Sequence, residues 1–474
     1  MTQRKTLLTS LVLWFALLSV ALLAQVAWAN YSQGKQPWQE YQRRYFQQEG
    51  LRDRTPQVVE LTLAGGRVER CLTCHVGIEE ISSSHPAQVF GCTSCHGGNG
   101  LSLDEKEAHT GLRGGGNPAD LRVAQASCGT GPNGEACHSG QSHPELNVVG
   151  RLPASPMASK AGEINQVRFA FGLQDSVDTP AFPVNGSPAD IVRPLGGHPQ
   201  EEKFKQNCLS GCHLWDGAYG DQSRTYSGGC AACHYLYNGT RTYEGKDVTI
   251  PRGETGHGAV HRLTASIPYT QCNACHNQGL HSLVAMTFEK RTDLPPAPPP
   301  ASTEAAAWAA RVREYYIPGE AYARCEVSLD CIDCHGRHDT MGDPRRDGQP
   351  VGNKYQAQST RCADCHGTKA ALPQSVVLTD PSDYVFADPR WRQPGFPELQ
   401  VGDRVGVTAA GEVMPFVRFE SGRVLLYSKV TGRSFGLPLV QGSACEQQPD
   451  QQGADACHKC HDVAATAHTQ PPTP

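Results

Sequence analysis

An apolar run near the beginning of the chain dominates its hydrophobic pattern. Residues 7–29 contain no charged side chain, and Arg4 and Lys5 precede them. Such a run behind a basic start predicts a helix that is either removed as an export signal or kept as a membrane anchor. Ala27-Trp28-Ala29 fits a cleavage site, whereas 23 residues exceed the ~20 that span a bilayer. Both alternatives place the body of the protein outside the cytoplasm, and the sequence predicts a periplasmic location.

Three further segments have a regular pattern. Residues 38–48 predict a short amphipathic helix, with Trp38, Tyr41 and Tyr45 on one face. Residues 303–316 predict a second helix, rich in alanine. Residues 400–440 alternate polar and apolar positions between glycine turns, which predicts a small antiparallel β-insert. Elsewhere the pattern predicts short α-helices joined by long loops, so the fold class depends on what fills the core.

The composition indicates that the core needs a non-protein component. The 474 residues include 49 glycines and 34 prolines, and hydrophobic residues make up only 38%. They also include 20 cysteines and 19 histidines. Disulfides, metals or a large apolar cofactor supply a core to chains of this kind. The formal net charge is −5 and there is no basic stripe, which argues against a nucleic-acid partner.

The cysteines and histidines form a repeated motif. A random chain of this composition would hold about 0.03 copies of C-x-x-C-H, the signature of covalent haem attachment. The sequence holds seven copies: Cys71-Cys74-His75, Cys92-Cys95-His96, Cys230-Cys233-His234, Cys272-Cys275-His276, Cys331-Cys334-His335, Cys362-Cys365-His366 and Cys457-Cys460-His461.

The spacing suits a porphyrin. Thiols at positions i and i+3 lie on one side of a helical turn and reach the two vinyl groups on one edge of the ring. The histidine that follows binds the iron. Zinc knuckles and disulfides are the competing interpretations of so many cysteines, but neither requires a histidine directly after the second cysteine. The sequence therefore predicts haem c.

Two more sites are length variants of the motif. Cys208 and Cys212-His213 enclose three residues, and Cys128 and Cys137-His138 enclose eight. They bring the prediction to about nine haems and use 18 cysteines. The remaining Cys325 and Cys445 are a disulfide candidate, because paired thiols oxidise outside the cytoplasm. The alternative is a haem on Cys445 and Cys457 with His458 as ligand, which would leave Cys460 and His461 unused.

The histidines outside the motifs are candidates for the second axial ligand. Without His458, they match the nine haems in number: His85, His109, His143, His198, His257, His261, His281, His338 and His468. The possible exceptions with methionine as ligand are Met157, Met286, Met341 and Met414. Iron with two histidine ligands changes oxidation state but binds no small substrate easily. The sequence therefore favours an electron carrier over an enzyme, and it contains no C-x-x-C-K motif of a catalytic haem.

The motifs divide the chain into regions. The predicted regions are the signal or anchor (1–29), a juxtamembrane helix and linker (30–70), a first three-haem region (71–150), a haem-free segment (151–200), a second three-haem region (201–290), a proline-rich linker (291–302), a two-haem region (303–370), the β-rich insert (371–444) and a C-terminal haem region (445–474).

Three segments resemble a known family. They are residues 89–100 (VFGCTSCHGGNG), 261–272 (HRLTASIPYTQC) and 324–335 (RCEVSLDCIDCH). They resemble the large exported multihaem c-type cytochromes of respiring bacteria, and the resemblance runs from about residue 37 to residue 468. It implies a periplasmic or membrane-attached electron carrier with haem c throughout. The eight-residue insert after Cys128 departs from the usual motif, which puts that haem most in question.

The sequence supports three functional hypotheses. The favoured one is electron transfer in anaerobic or other respiration through bis-histidine haems, with redox proteins as partners. The first alternative is a multihaem oxidoreductase that acts on a small nitrogen or sulfur compound. The second alternative is a subunit of an extracellular cytochrome filament, which a retained membrane anchor would argue against.

Overall fold

The computed structural model describes most of the chain. The described residues are 2–33, 36–140, 143–155, 157–158, 214, 228–238, 240–272, 288–290, 316–318, 329–346 and 359–443. The linker at 291–302 and residues 303–315 of the helix predicted at 303–316 lie outside them. Tyr316, the last residue of that prediction, begins a short strand instead.

Two helices begin the chain. The first spans Thr2–Gln33, and its Ser10–Ala29 stretch is apolar, exposed and long enough to cross a membrane. This is an N-terminal apolar helix of the kind that a signal peptide or a membrane anchor forms. The second helix, Pro37–Gln48, lies where residues 38–48 predicted it. Proline at its first turn suits the start, where no backbone N–H has a partner. It buries Trp38 and Gln42, whereas Tyr41 and Tyr45 stay partly exposed.

The other described helices are single turns. They are Ala87–Phe90, Thr93–His96, Glu105–Ala108, Ala124–Ser127, Val148–Arg151, Ala231–His234, Tyr269–Cys272, Cys331–Cys334, Arg337–Met341 and Cys362–His366. The described 3₁₀ turns are Ala64–Gly66, Cys71–Thr73, Arg113–Gly116, Pro144–Leu146, Leu152–Ala154, Pro344–Arg346, Tyr384–Ala387 and Pro389–Arg392. Helices this short are not stable alone, so packing must hold them.

A five-stranded antiparallel sheet occupies the C-terminal part. Its strands follow one another in sequence order: Ser375–Val377, Arg404–Val407, Val413–Glu420, Arg423–Tyr427 and Ser434–Gly436. The sheet lies where the alternation of residues 400–440 predicted a β-insert, and it begins earlier, at Ser375. Two short pairs stand apart from it: Leu61–Thr62 with Val68–Glu69, and Phe288–Lys290 with Tyr316–Pro318.

Turn chemistry and packing fix the sheet. Glu420 pairs with Arg423 across Ser421 and Gly422, which both have positive φ, as a two-residue hairpin turn requires. Two apolar clusters line the strands: Leu378, Val385, Leu399 and Val405 in one, and Val417, Val424 and Leu426 in the other. The partly buried Cys365 packs against the second cluster. The sheet therefore supports the Cys362–His366 motif.

Candidate haem sites

Four of the standard motifs that the structure describes share one backbone arrangement. The backbone N–H of the motif histidine donates to the carbonyl of the first cysteine, four residues earlier. The N···O distance is 3.0 Å for His75 to Cys71, 2.9 Å for His96 to Cys92 and 3.0 Å for His234 to Cys230. His335 donates to Cys331 at 2.8 Å. One helical turn thus carries both thiols on one side and the imidazole beyond them, as attachment of a porphyrin requires.

The motif with the eight-residue insert reaches the same arrangement. The insert folds back as a small hairpin, in which Thr130 pairs with Ala136 and Gly131 N–H donates to the Glu135 carbonyl at 2.8 Å. At its base, Cys137 N–H donates to the Gly129 carbonyl at 2.9 Å. His138 N–H donates to the Cys128 carbonyl at 3.1 Å. The hairpin therefore loops out and leaves the histidine and the first cysteine related as in the standard motifs.

Shortening this hairpin tests whether it is needed for haem attachment. If this motif binds a haem as the sequence predicts, we expect a variant with Ala-Ala in place of residues 129–136 to keep it, because the turn then has the ordinary C-x-x-C-H spacing. The control is the double variant Cys128→Ser and Cys137→Ser, which should carry one haem fewer than the wild type. Intact mass of the purified holoproteins counts the haems. A shortened variant that has lost a haem would contradict this account of the hairpin.

Three pairs of histidine rings are the most specific feature of the site. Each pair joins a motif histidine to a histidine far away in sequence. Ring centroids lie 6.2 Å apart for His75 and His109, 6.1 Å for His96 and His261, and 6.1 Å for His138 and His85. The ring planes are inclined by 42°, 31° and 30°, respectively.

This separation fits two imidazoles on opposite sides of one metal. With a metal–nitrogen distance of about 2.0 Å and about 1.1 Å from nitrogen to ring centre, the two centroids lie about 6 Å apart. Directly stacked rings would be closer, as His143 and Tyr384 are, with centroids 4.7 Å apart. The residues present therefore fit a haem iron with two histidine ligands at three of the predicted sites.

The other ring nitrogen of several motif histidines is engaged by the protein. His75 Nδ1 lies 2.8 Å from Asp247 Oδ2, His234 Nδ1 lies 2.8 Å from the Thr264 carbonyl oxygen, and His366 Nδ1 lies 2.7 Å from that of Pro438. His335 Nδ1 lies 3.3 Å from Asp339 Oδ2. A partner at Nδ1 fixes the ring orientation and directs Nε2 to a metal.

The protonation equilibria of His96, His234 and His261 suit metal ligands. Although burial opposes the shift, the hydrogen bond and charge of Asp247 raise the pKa of His75. Desolvation by the surrounding protein, followed by the charges of His261 and His75, lowers the pKa of His96 to about 4. Burial also lowers the pKa of His234 and of His261. These rings are therefore neutral at pH 7, and a neutral imidazole is the form that binds a metal.

Several of the thiols are not prepared to act as thiolates, whereas a hydrogen bond with Cys92 lowers the pKa of Cys71. Burial raises the pKa of Cys95 and of Cys233 to about 11, and burial followed by the charge of Cys71 raises that of Cys74 to about 11. Cysteines that bind zinc or attack substrates have lowered pKa values instead. Among the described residues, one group of three potential metal ligands has atoms within 4.8 Å of one another: Glu69, Cys71 and Cys92.

Neighbouring motifs touch through their first cysteines. Sγ of Cys71 and Sγ of Cys92 lie within 4.8 Å of each other. The thiols of Cys272 and Cys331 are hydrogen-bonded. This bond is the main cause of the raised pKa of Cys272, and burial is the second cause. Glu69, only 2% exposed, accepts from Cys92 N–H at 2.6 Å and from Thr93 N–H at 3.2 Å. It thereby fixes the second motif beside the first.

The other candidate ligands have different positions. His143 stacks on Tyr384, and its Nδ1 accepts from Glu145 N–H at 3.2 Å. His338 is 2% exposed, and its Nε2 lies 2.9 Å from Glu145 Oε1. His257 is partly buried. The candidates that lie outside the described residues are His198, His281, His468, Cys208, Cys212, His213, Cys275, His276, Cys457, Cys460, His461, Cys325, Cys445 and Met286.

His338 belongs to a buried polar cluster instead. Glu145 also receives Arg151 Nη1 at 3.2 Å, and Arg151 is 7% exposed. His338 Nδ1 lies 3.7 Å from Asp343 Oδ1 and 3.8 Å from Glu412 Oε2. The pKa of Glu145 lies below its usual value. Burial alone would raise it, but the hydrogen bond and charge of His338, followed by those of Arg151, lower it further than burial raises it. This cluster joins the 143–155 segment to the 329–346 segment.

Sequence reasoning missed the residues that position the ligands. Asp247, Thr249 and Thr264 hold motif histidines, and Glu69 holds a motif helix. Asp247 is 172 residues from its histidine, so no local spacing connects the two. Comparison with known proteins finds no matching family model, no matching curated protein and no matching solved structure.

Proposed function

We propose that this chain is an exported multihaem c-type cytochrome that carries electrons through about nine covalently bound haems. The observation that supports it most directly is the set of three histidine pairs, each with one motif histidine and ring centroids 6.1–6.2 Å apart. A histidine pair at this separation, beside two thiols on one helical turn, has no simpler use than holding a haem.

The residues of each site have distinct tasks. The two cysteines would attach the porphyrin, and the motif histidine and the distant histidine would hold its iron between them. The bound haem supplies one-electron oxidation and reduction at its iron. The pairs that would hold an iron are His75 with His109, His96 with His261, and His138 with His85. A haem held by such a pair would exchange electrons and would leave no place for a substrate.

The contacts between motifs support passage of electrons along the chain. Cys71 touches Cys92, and the charge of Cys128 contributes to the raised pKa values of Cys95 and Cys230. Cys272 in turn is close to Cys233 and bonded to Cys331. Among the motifs that the structure describes, the attachment cysteines between residues 71 and 331 thus follow one another in space in sequence order. Electrons entering at one end of such a series can pass to redox proteins at the other.

The apolar N-terminal helix fits export of this protein. Haem c attachment and an extracytoplasmic location go together, and residues 7–29 supply either a cleaved signal or an anchor. A retained anchor would hold the haem-bearing body at the outer surface of the membrane, next to membrane-bound electron donors.

The test is the holoprotein, produced with its leader in a host that matures c-type cytochromes. We expect an intact mass with nine haems and no carbon monoxide binding by the reduced protein. We also expect a low-spin spectrum in both oxidation states, with methionines as the second ligands of the sites that His143 and His338 leave without one. A colourless product or a mainly high-spin spectrum would refute the proposal. Binding of one carbon monoxide per chain would favour the oxidoreductase alternative. The same mass shows whether the leader is retained.

A further inference from the structure

A fully buried carboxylate contacts the first motif histidine. Asp247 is 0% exposed, and its Oδ2 lies 2.8 Å from His75 Nδ1. Its other oxygen accepts from Thr249 N–H at 2.9 Å and from the Thr249 hydroxyl at 2.8 Å. The Tyr243 hydroxyl accepts from the Asp247 backbone N–H at 3.0 Å and donates to Glu79 at 2.9 Å. The carboxylate is thereby held in one orientation, with His75 as the one ionisable group that it bonds among the described residues.

Other motif histidines have neutral partners at the same position. His234 and His366 meet the backbone carbonyl oxygens of Thr264 and Pro438. His335 faces a carboxylate, but the distance to Asp339 is 3.3 Å and the His335 side chain is 60% exposed, so water screens the interaction. The bond between Asp247 and His75 is therefore shorter and better shielded than the comparable one at His335.

A carboxylate at Nδ1 changes what an imidazole offers to iron. It draws the Nδ1 proton towards itself and makes the ring a stronger electron donor. It also adds a negative charge near the metal, and burial strengthens the interaction of that charge. Both effects stabilise the oxidised iron more than the reduced iron, so they lower the reduction potential.

We infer that Asp247 is a positioning residue that lowers the reduction potential of the haem at His75 below those of the haems at His234 and His366. This rests on the proposed function. Of these three haems, the one at His75 would then be the last to accept an electron and the first to give one up.

The experiment is a spectroelectrochemical titration of full-length holoprotein carrying Asp247→Asn. Asparagine keeps the size and a hydrogen-bond acceptor but removes the charge. We expect one haem to move to higher potential, with its reduction favoured at least about tenfold, equivalent to about 59 mV for one electron. The EPR g values of one low-spin haem should change with it. The matched control, Asp339→Asn, should cause a smaller shift.

A second variant has the opposite expected sign. Thr249→Val keeps the shape but removes the hydroxyl that donates to Asp247 and lies 2.9 Å from His75 Nδ1. The carboxylate then keeps only the backbone N–H of residue 249 as a second donor. It therefore acts more strongly on the imidazole, and one haem should move to lower potential. Both variants are checked for haem number by intact mass. Full haem loading with no shift in either variant would overturn the role of Asp247, whereas wild-type protein without haem would refute the proposed function itself.

Discussion

Alanine in place of His109, His261 or His85 is expected to leave one haem per chain with a single axial imidazole. Each of these rings lies 6.1–6.2 Å from a motif histidine, which would remain bound on the other face. The iron that loses its second ligand should become high-spin and open to small ligands. Carbon monoxide binding by the reduced protein should rise from none to one equivalent per chain, with the number of attached haems unchanged.

His143→Ala is the matched control for this series. His143 is also a histidine outside the motifs, but it stacks on Tyr384 and accepts from Glu145 N–H. Its removal should therefore leave the spin state unaltered. Absorption and EPR spectra of the four variants distinguish the outcomes. If the three variants at paired histidines all remained low-spin and failed to bind carbon monoxide, the assignment of the pairs would be wrong.

Glu145→Gln should be the most destabilising single change in the buried polar cluster. The carboxylate bonds His338 Nε2 at 2.9 Å and Arg151 Nη1 at 3.2 Å. The part of the chain that the structure describes supplies no hydrogen-bond partner for Arg151 Nε or Nη2. Loss of one partner of a buried ion pair costs about 3–5 kcal/mol, because the other charge stays buried. The denaturant midpoint at pH 7 measures this loss.

Glu40→Gln is the control for a loss of surface charge. Glu40 pairs with Arg43 at 3.2 Å in the second helix, and both side chains are at least half exposed. Exposed pairs contribute at most about 1 kcal/mol. Equal destabilisation by the two substitutions would show that the cluster around Glu145 has no special energetic role.

The same cluster predicts a pH dependence. The pKa of Glu145 is lowered in the folded protein, so its ionised form stabilises the fold. That contribution is complete above the unfolded pKa of about 4.3 and disappears as the pH falls through the lower folded value. The difference in stability between wild type and Glu145→Gln should therefore shrink between pH 7 and pH 3. A difference that grew towards acid pH would contradict the assignment of a charged Glu145.

Local sequence carries the information for elements whose physics is local. A run of 23 uncharged residues behind a basic start fits a signal or an anchor, and alternation with a Ser-Gly turn is enough to indicate the hairpin at residues 413–427. The thiol and imidazole of one motif belong to a single turn, so spacing predicts the attachment site directly. The pattern also predicted the helix at Pro37–Gln48. The residue buried beside Trp38 is Gln42, however, and not Tyr41.

The sequence by itself predicted haem-attachment motifs, about nine of them, and the histidines outside the motifs that are available as second ligands. Tertiary structure alone decided that His85, His109 and His261 face motif histidines, that His338 is engaged by Glu145 instead, and that Asp247 contacts His75. The reason is the range of the interactions. A standard motif is held by a hydrogen bond between residues four positions apart. Each pair of histidine rings, in contrast, comes together only when distant loops pack.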